Sequence, residues 1–353
     1  MDGQPQILAI QIKRIGDLIL TVPALARLKR EVPGARVTLV TLGAAGQLAP
    51  AIAGLGEHLN YRYRRPNLAL WRTLADRRFE VALDFNGSDR SALMTLLSGA
   101  ETAATYTKRA ASPFRERIYS HTSNAPLKTM HTIDHMVALL DAIGLPPATA
   151  PEPLRLAIPA PVQAAVDRRL EALLGKPDAP FAVIHAGTAR DEKYWEASRW
   201  AAVIDHLEKE RGLRCVLTGG TDTVEAAHLG AIASLAGVAP AVLAGKLSLL
   251  ETAAVIRRST IALGVDTAAM HLAAAFERPQ IVLYGPTNPF HWRPRHPNAR
   301  VILSGESGVL PEAWDLSRTN KRSMNRIETR QVIDAIESWD PASLTAAGGT
   351  QQG

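Results

Sequence analysis

The 353-residue sequence predicts an α/β protein built from two doubly wound parallel sheets with a cleft between them. Three observations carry that expectation. Short β-branched or apolar runs alternate with amphipathic stretches along the chain, a proline-rich segment interrupts the alternation near its middle, and the polar turns follow strands. Strand–helix alternation implies crossover helices, and crossover helices imply a parallel sheet.

In the first half, strands are expected at 7–12, 36–42, 59–63, 81–85 and 102–106, with helices at 18–31, 68–77 and 89–97. Pro146, Pro147, Pro151, Pro153, Pro159 and Pro161 are incompatible with helix interior and mark a linker. The alternation restarts with strands at 181–185, 214–218, 241–243, 260–263 and 280–284, and helices at 198–211, 223–236, 249–257 and 267–276. The expected division is 1–160 and 161–327. A closing helix at 328–340 is expected to pack back on the first domain, and a Gly/Gln-rich tail at 341–353 is expected to be disordered. Open parallel sheets bind ligands beyond the carboxyl ends of their strands, so the informative residues should follow strands.

Length points the same way, because the chain exceeds what one hydrophobic core usually serves. Apolar residues at 46% and charged residues at 21% are ordinary for a soluble protein. No apolar run approaches the roughly 18 residues of a membrane span. The opening residues carry no basic n-region, so the expected location is cytoplasmic. The single Cys215 leaves no intramolecular disulfide and no Cys-rich zinc site, and within a strand it reads as core.

Charge is unevenly divided. Residues 1–150 hold 18 basic and 12 acidic side chains, a net +6, whereas the remainder is balanced at 22 of each. The clusters are Arg62/Arg64/Arg65, Arg77/Arg78, Lys108/Arg109 and Arg115/Arg117. A field of one sign draws an anionic partner or surface, or simply confers solubility. No aromatic-interleaved basic motif supports nucleic-acid binding.

Four post-strand turns carry chemistry. Lys13-Arg14-Ile15-Gly16-Asp17 offers a carboxylate, Asp17, which serves either as helix N-cap or as a reactive group. It contains no GxGxxG, which argues against a dinucleotide cradle and a dehydrogenase. The loop from His185 to Trp195 offers Thr188 as a hydroxyl and Lys193 as a point charge for a phosphate; alternatively it is a charged surface loop whose Trp195 and Trp200 pack inward. Gly219-Gly220-Thr221-Asp222-Thr223-Val224-Glu225 offers Glu225 to ribose hydroxyls, or exposes it in a helix first turn. Gly264-Val265-Asp266-Thr267-Ala268-Ala269-Met270-His271 opens a helix of small residues. The backbone N–H groups of Thr267, Ala268 and Ala269 suit a diphosphate and Asp266, placed at the cap, suits sugar hydroxyls; His271 faces the ligand or the core.

Taken together these runs resemble the ADP-heptose:lipopolysaccharide heptosyltransferase family. The likeness is carried by Ile12-Lys13-Arg14-Ile15-Gly16-Asp17-Leu18 with Pro23-Ala24-Leu25, by Asn86-Gly87-Ser88-Asp89-Arg90-Ser91 and by Lys193-Tyr194-Trp195. Gly264-Val265-Asp266-Thr267 with His271, Arg278-Pro279 and Tyr284-Gly285-Pro286-Thr287 complete it. The resemblance implies the GT-B architecture of two facing Rossmann-like domains, with the donor nucleotide on the second and the acceptor on the first. It implies inverting transfer of heptose from ADP-heptose to a lipopolysaccharide inner-core acceptor, with no metal or other cofactor. It implies Asp17 as general base, Thr188, Lys193, Asp266, Thr267, Ala268 and His271 at the diphosphate and heptose, and Glu225 at the ribose. The basic first half, with Arg62, Arg64, Arg65, Lys108 and Arg109, then suits an anionic core acceptor at the inner face of the inner membrane, which the enzyme would visit peripherally. A transferase of another ADP- or UDP-sugar and a non-catalytic nucleotide-sugar-binding module are the competing readings.

Overall fold

The computed structural model describes residues 4–305 and 322–339, which group into two compact units divided between Ala157 and Ile158. The first unit runs β1 (Gln6–Gln11), α1 (Ile15–Glu31), β2 (Arg36–Leu42), β3 (Glu57–Tyr61), α2 (Leu68–Asp76), β4 (Val81–Asp84), α3 (Asp89–Leu97), β5 (Thr102–Tyr106), α4 (Thr107–Ala110), β6 (His121–Ser123) and α5 (Thr132–Val137). Its six strands are parallel in the order β3-β2-β1-β4-β5-β6. Strands buried on both faces read as continuous apolar runs, and Ile7, Leu8, Ala9 and Ile10 of β1 are all core.

The second unit runs α6 (Ala160–Leu174), β7 (Phe181–His185), α7 (Ala197–Lys209), β8 (Arg214–Leu217), α8 (Thr223–Leu235), β9 (Ala241–Val242), α9 (Leu249–Arg258), β10 (Ile261–Val265), α10 (Ala268–Ala275), β11 (Gln280–Tyr284), α11 (Pro289–Trp292), β12 (Ala299–Leu303) and α12 (Thr329–Glu337). Its sheet is also parallel, in the order β12-β11-β10-β7-β8-β9. Each sheet therefore reverses its winding once, between β1 and β4 in the first unit and between β7 and β10 in the second. The loops leaving those four strands are where a ligand is expected.

Two expectations need correction. The proline-rich segment is not only linker: Pro161 sits in the first turn of α6, where its missing N–H costs nothing and its fixed φ suits the helix. The part before it is tied to α1, since buried Arg27 pairs with Asp141 at 3.1 Å and donates to the Pro146 carbonyl, and Arg30 pairs with Glu152 at 2.6 Å. The closing helix, expected on the first domain, instead buries Val332, Ile336 and Trp339 in the second unit's own core with Trp195 and Trp200. The cause is partly polar. Trp195 needs an acceptor for its indole N–H and finds the Ile327 carbonyl at 2.9 Å, while Glu337 meets Arg211 at 3.0 Å and His206 at 2.7 Å. The 341–353 tail lies outside the described residues. Cys215 is core, and burial pushes its thiol up and out of reactive range.

Candidate active site

In the first unit the β1–α1 turn is held by a closed chain of buried amides. Asn86 Oδ1 accepts from the Ile12 N–H at 2.6 Å, and Asn86 Nδ2 donates to Gln11 Oε1 at 2.8 Å. Gln11 Nε2 donates to Thr21 Oγ1 at 2.8 Å, and the Thr21 hydroxyl donates to the Asp17 carbonyl at 2.8 Å. Gln11, Thr21 and Asn86 are buried, and a fully satisfied buried network of this kind fixes geometry. Asn86 lies in a family-like run that assigns it no role, and Gln11 and Thr21 carry no local signal because the network joins residues 10 to 75 apart in sequence.

Asp17 is half-buried at the third position of α1, whose N-cap is Arg14. The cap alternative is therefore set aside, and the Asp17 carboxylate makes no hydrogen bond or ion pair with a described residue. The next turn, after β4, is built on Asp84. Its Oδ1 accepts from the N–H groups of Asn86 at 2.8 Å and Gly87 at 2.9 Å, and its Oδ2 accepts from the Tyr119 hydroxyl at 2.5 Å. Burial pushes the Asp84 carboxyl up despite those donors.

The basic clusters divide. Arg77 is spent on Glu57, and Arg115 on the Gly87 carbonyl at 2.7 Å, Ser112 at 2.9 Å and Asp89 at 3.5 Å. Arg62, Arg64 and Arg65 are exposed on the loop after β3, which Asn67 stitches by bonds to the Arg62 N–H and to the Arg62 and Arg65 carbonyls. The Arg64 and Arg90 guanidinium groups lie over the Tyr63 ring at 5.3 and 4.8 Å. Lys108 and Arg109 are exposed on α4, directly after β5. Parallel strands put the turns after β3, β4 and β5 on one edge of the sheet.

In the second unit, the loops after β7 and β10 are joined by an ion pair. Lys193 Nζ donates to Asp266 Oδ2 at 2.7 Å and to the Asp266 carbonyl at 2.9 Å, and the Thr287 hydroxyl donates to the same Oδ2 at 2.8 Å. Burial alone would raise the Asp266 carboxyl, but Lys193, with His271 and Thr287, holds it below the usual carboxylate range. Asp266 is thus committed to Lys193, and the cap of α10 is Thr267, one residue later. Thr267 makes no capping bond, and its buried Oγ1 has no partner among the described residues. Its hydroxyl stands beside the first N–H groups of α10, contributed by Ala268 and Ala269, where a helix terminus favours an anion. His271 follows within the first turn and is 5% exposed, more core than surface.

Thr188 belongs to the same cluster of loops: its carbonyl accepts from the Tyr194 hydroxyl at 2.9 Å, and its Oγ1 from the Arg190 N–H at 3.3 Å. Glu225 departs from the exposed alternative, being 9% exposed. It accepts from the Gly220 N–H at 2.9 Å, and Asp222, not Glu225, caps α8. A Cβ at Gly187 would overlap the Glu225 carboxylate, so that glycine, after β7, exists to admit a carboxylate from α8. His185 bonds Thr218 at 3.0 Å, and burial lowers its imidazole to about 4. Trp195 and Trp200 do pack inward, ring on edge at 4.9 Å.

Comparison with known proteins agrees with this fold. A family 9 glycosyl transferase from Veillonella parvula superposes with a TM-score of 0.83 over 98% of both chains at 20% identity. The E. coli heptosyltransferase WaaC, solved with ADP, gives 0.74 over 94% of this chain and 99% of that one at 22% identity. The fold is that of a GT-B glycosyltransferase. The profile of glycosyltransferase family 9 (heptosyltransferase) matches residues 67–321, and the chain belongs to that family. It is 26% identical over 352 residues to lipopolysaccharide heptosyltransferase 3 of Escherichia coli K12, covering 96% of this chain and 98% of that protein.

Proposed function

We propose that this enzyme transfers heptose from ADP-heptose to an inner-core sugar of a lipopolysaccharide acceptor, with inversion at the anomeric carbon. The observation that carries the reading is the anion-ready corner of the second unit, where Lys193, the Thr267 hydroxyl (without a partner among the described residues) and the start of α10 meet. One relative named above is a lipopolysaccharide heptosyltransferase, and another, a heptosyltransferase, was solved with ADP.

Asp17 removes the proton of the attacking acceptor hydroxyl, whose oxygen bonds to C1 as the bond from C1 to the diphosphate oxygen breaks. ADP leaves with growing negative charge, which the free N–H of Lys193, the Thr267 hydroxyl and the α10 terminus stabilise without a metal. Glu225 accepts from the ribose, and Thr188 borders the diphosphate. The basic first unit, with Arg62, Arg64, Arg65, Lys108 and Arg109, collects the anionic acceptor at the cytoplasmic face of the membrane. No described helix is long and apolar enough to cross one.

The test is to incubate the protein with ADP-heptose and a heptose-deficient core acceptor, then identify the product by mass and by the NMR coupling at the new anomeric centre. A gain of one heptose with inverted configuration supports the reading. Transfer only from other ADP- or UDP-sugars, or ADP-sugar binding without transfer, overturns it.

A further inference from the structure

The first unit contains a cation that its own structure leaves unanswered. Lys13, the second residue beyond β1, is half-buried, and its ammonium makes no hydrogen bond or ion pair with a described residue. The nearby anions do not answer it. Asp84 is filled by Asn86, Gly87 and Tyr119, and Asp17 lies near enough to favour the charged ammonium but not to pair with it.

A second cation is steered towards it. Gly87 has φ +57°, and a Cβ there would collide with the Arg109 stem, so the β4–α3 turn is shaped for Arg109 to lie across it. Arg109 likewise makes no ion pair or hydrogen bond among the described residues. Burial and then the Arg109 charge lower the Lys13 ammonium, and the repulsion from Arg109 ranks ahead of the attraction of either Asp17 or Asp84 taken singly. Arg115, the other cation at this turn, is already committed to the Gly87 carbonyl and Asp89. Two like charges held together, one of them partly desolvated, cost free energy that an anion between them would return.

We propose that Lys13 and Arg109 form a built anion-binding pair that reads a phosphate or carboxylate of the acceptor, next to the hydroxyl that Asp17 deprotonates. This rests on the proposed function for the identity of the ligand, though not for the existence of the site. The three turns involved leave adjacent strands, β1, β4 and β5, on the edge that also carries Asp17. Lys13 thereby selects acceptors in which an anionic group neighbours the reacting hydroxyl.

The experiment uses the full chain saturated with ADP, so that the donor loops are occupied, with inorganic phosphate as the probe. Phosphate should still bind, and Lys13→Met should weaken it by roughly 10–100-fold, the range for a hydrogen bond to a charged group, with Arg109→Gln acting in the same direction. In turnover, the Lys13→Met loss should fall in acceptor KM and not in donor KM. Removing the acceptor's phosphates raises the parent's KM to that of the variant if phosphate is read, and preserves the difference if a carboxylate is. Equal phosphate affinity in parent and both variants overturns the site. So does a Lys13→Met variant whose acceptor KM is unchanged while its pH profile moves, because Lys13 would then serve Asp17 alone. If heptose transfer itself fails, the phosphate result stands independently.

Discussion

Lys193 and Asp266 bind one another across the point where the second sheet reverses, the ammonium donating to both the carboxylate at 2.7 Å and the main-chain carbonyl at 2.9 Å. Both side chains are nearly withdrawn from water, at 11% and 10% exposure. A lysine with two of its three donors on one residue presents the third in a fixed direction. The pair therefore sets the geometry of the proposed phosphate site as well as its charge.

Replacing Lys193 has two separable effects. Lys193→Ala leaves Asp266 buried and unpaired, a loss of about 3–5 kcal/mol of stability for broken buried pairs. The double variant Lys193→Met/Asp266→Asn should recover most of that in urea unfolding, yet still bind ADP about 10–100-fold more weakly than the parent. Parental ADP affinity in the double variant would remove Lys193 from the site.

Thr267→Val makes the opposite pairing. The hydroxyl has no partner among the described residues, so its removal should leave the unfolding midpoint unchanged or slightly higher. ADP affinity should fall by roughly tenfold or more, as for a lost hydrogen bond to a charged group. Calorimetry on both forms checks this, and an unchanged affinity would show that the hydroxyl does not face the nucleotide.

Asn86→Ala should act on the first unit alone. It strands the Ile12 N–H and the Gln11 side-chain Oε1, at a cost of about 1–3 kcal/mol each. Turnover should drop because the Asp17 turn loosens, while ADP affinity, housed in the other unit, stays at the parental value. A parallel loss of ADP binding would mean general unfolding.

His185 gives the protein an acid-labile side. Burial holds its imidazole near 4 when folded, below the roughly 6.5 of an unfolded chain. Between those values the unfolded state binds more protons, so stability is fully present above about pH 6.5 and is lost as pH falls towards 4. The slope is up to about 1.4 kcal/mol per pH unit for each such histidine. His296, also lowered to about 4 by burial, contributes in the same window. Urea midpoints from pH 7.5 to 4.5 should show the decline, and His185→Gln should flatten part of it.

Most strands were legible because parallel strands buried on both faces are largely apolar or β-branched, as residues 36–42, 102–106, 181–185 and 280–284 are. β6, only three residues of His-Thr-Ser, carries no such signal, and β12 is only partly buried. α6 was hidden by reading Pro159 and Pro161 as breakers when they start the helix. The docking of α12 could not be read from its amphipathic pattern, which says that a face is buried but not against what. Lys193, Asp266 and Thr267 stand out in the sequence by their position after strands, and the structure brings them together. The carboxylate–lysine pairing, the role of Thr287 and the amide chain through Asn86 depend on contacts 21 to 75 residues apart in sequence. No local pattern records them.

The account stands or falls on Asp17. It is the third residue of α1, not its cap, and its carboxylate makes no bond to a described residue. Asp17→Asn therefore removes only a charge near a helix start, a change of about 0.3–1 kcal/mol in stability, and leaves the ADP loops untouched. The decisive measurement is the turnover number of Asp17→Asn at saturating ADP-heptose and acceptor, with ADP affinity measured on the same preparation. The account predicts a fall of roughly 10²–10⁴-fold, the contribution of a general base, at parental ADP affinity. Heptose transfer at close to the parental rate would contradict it.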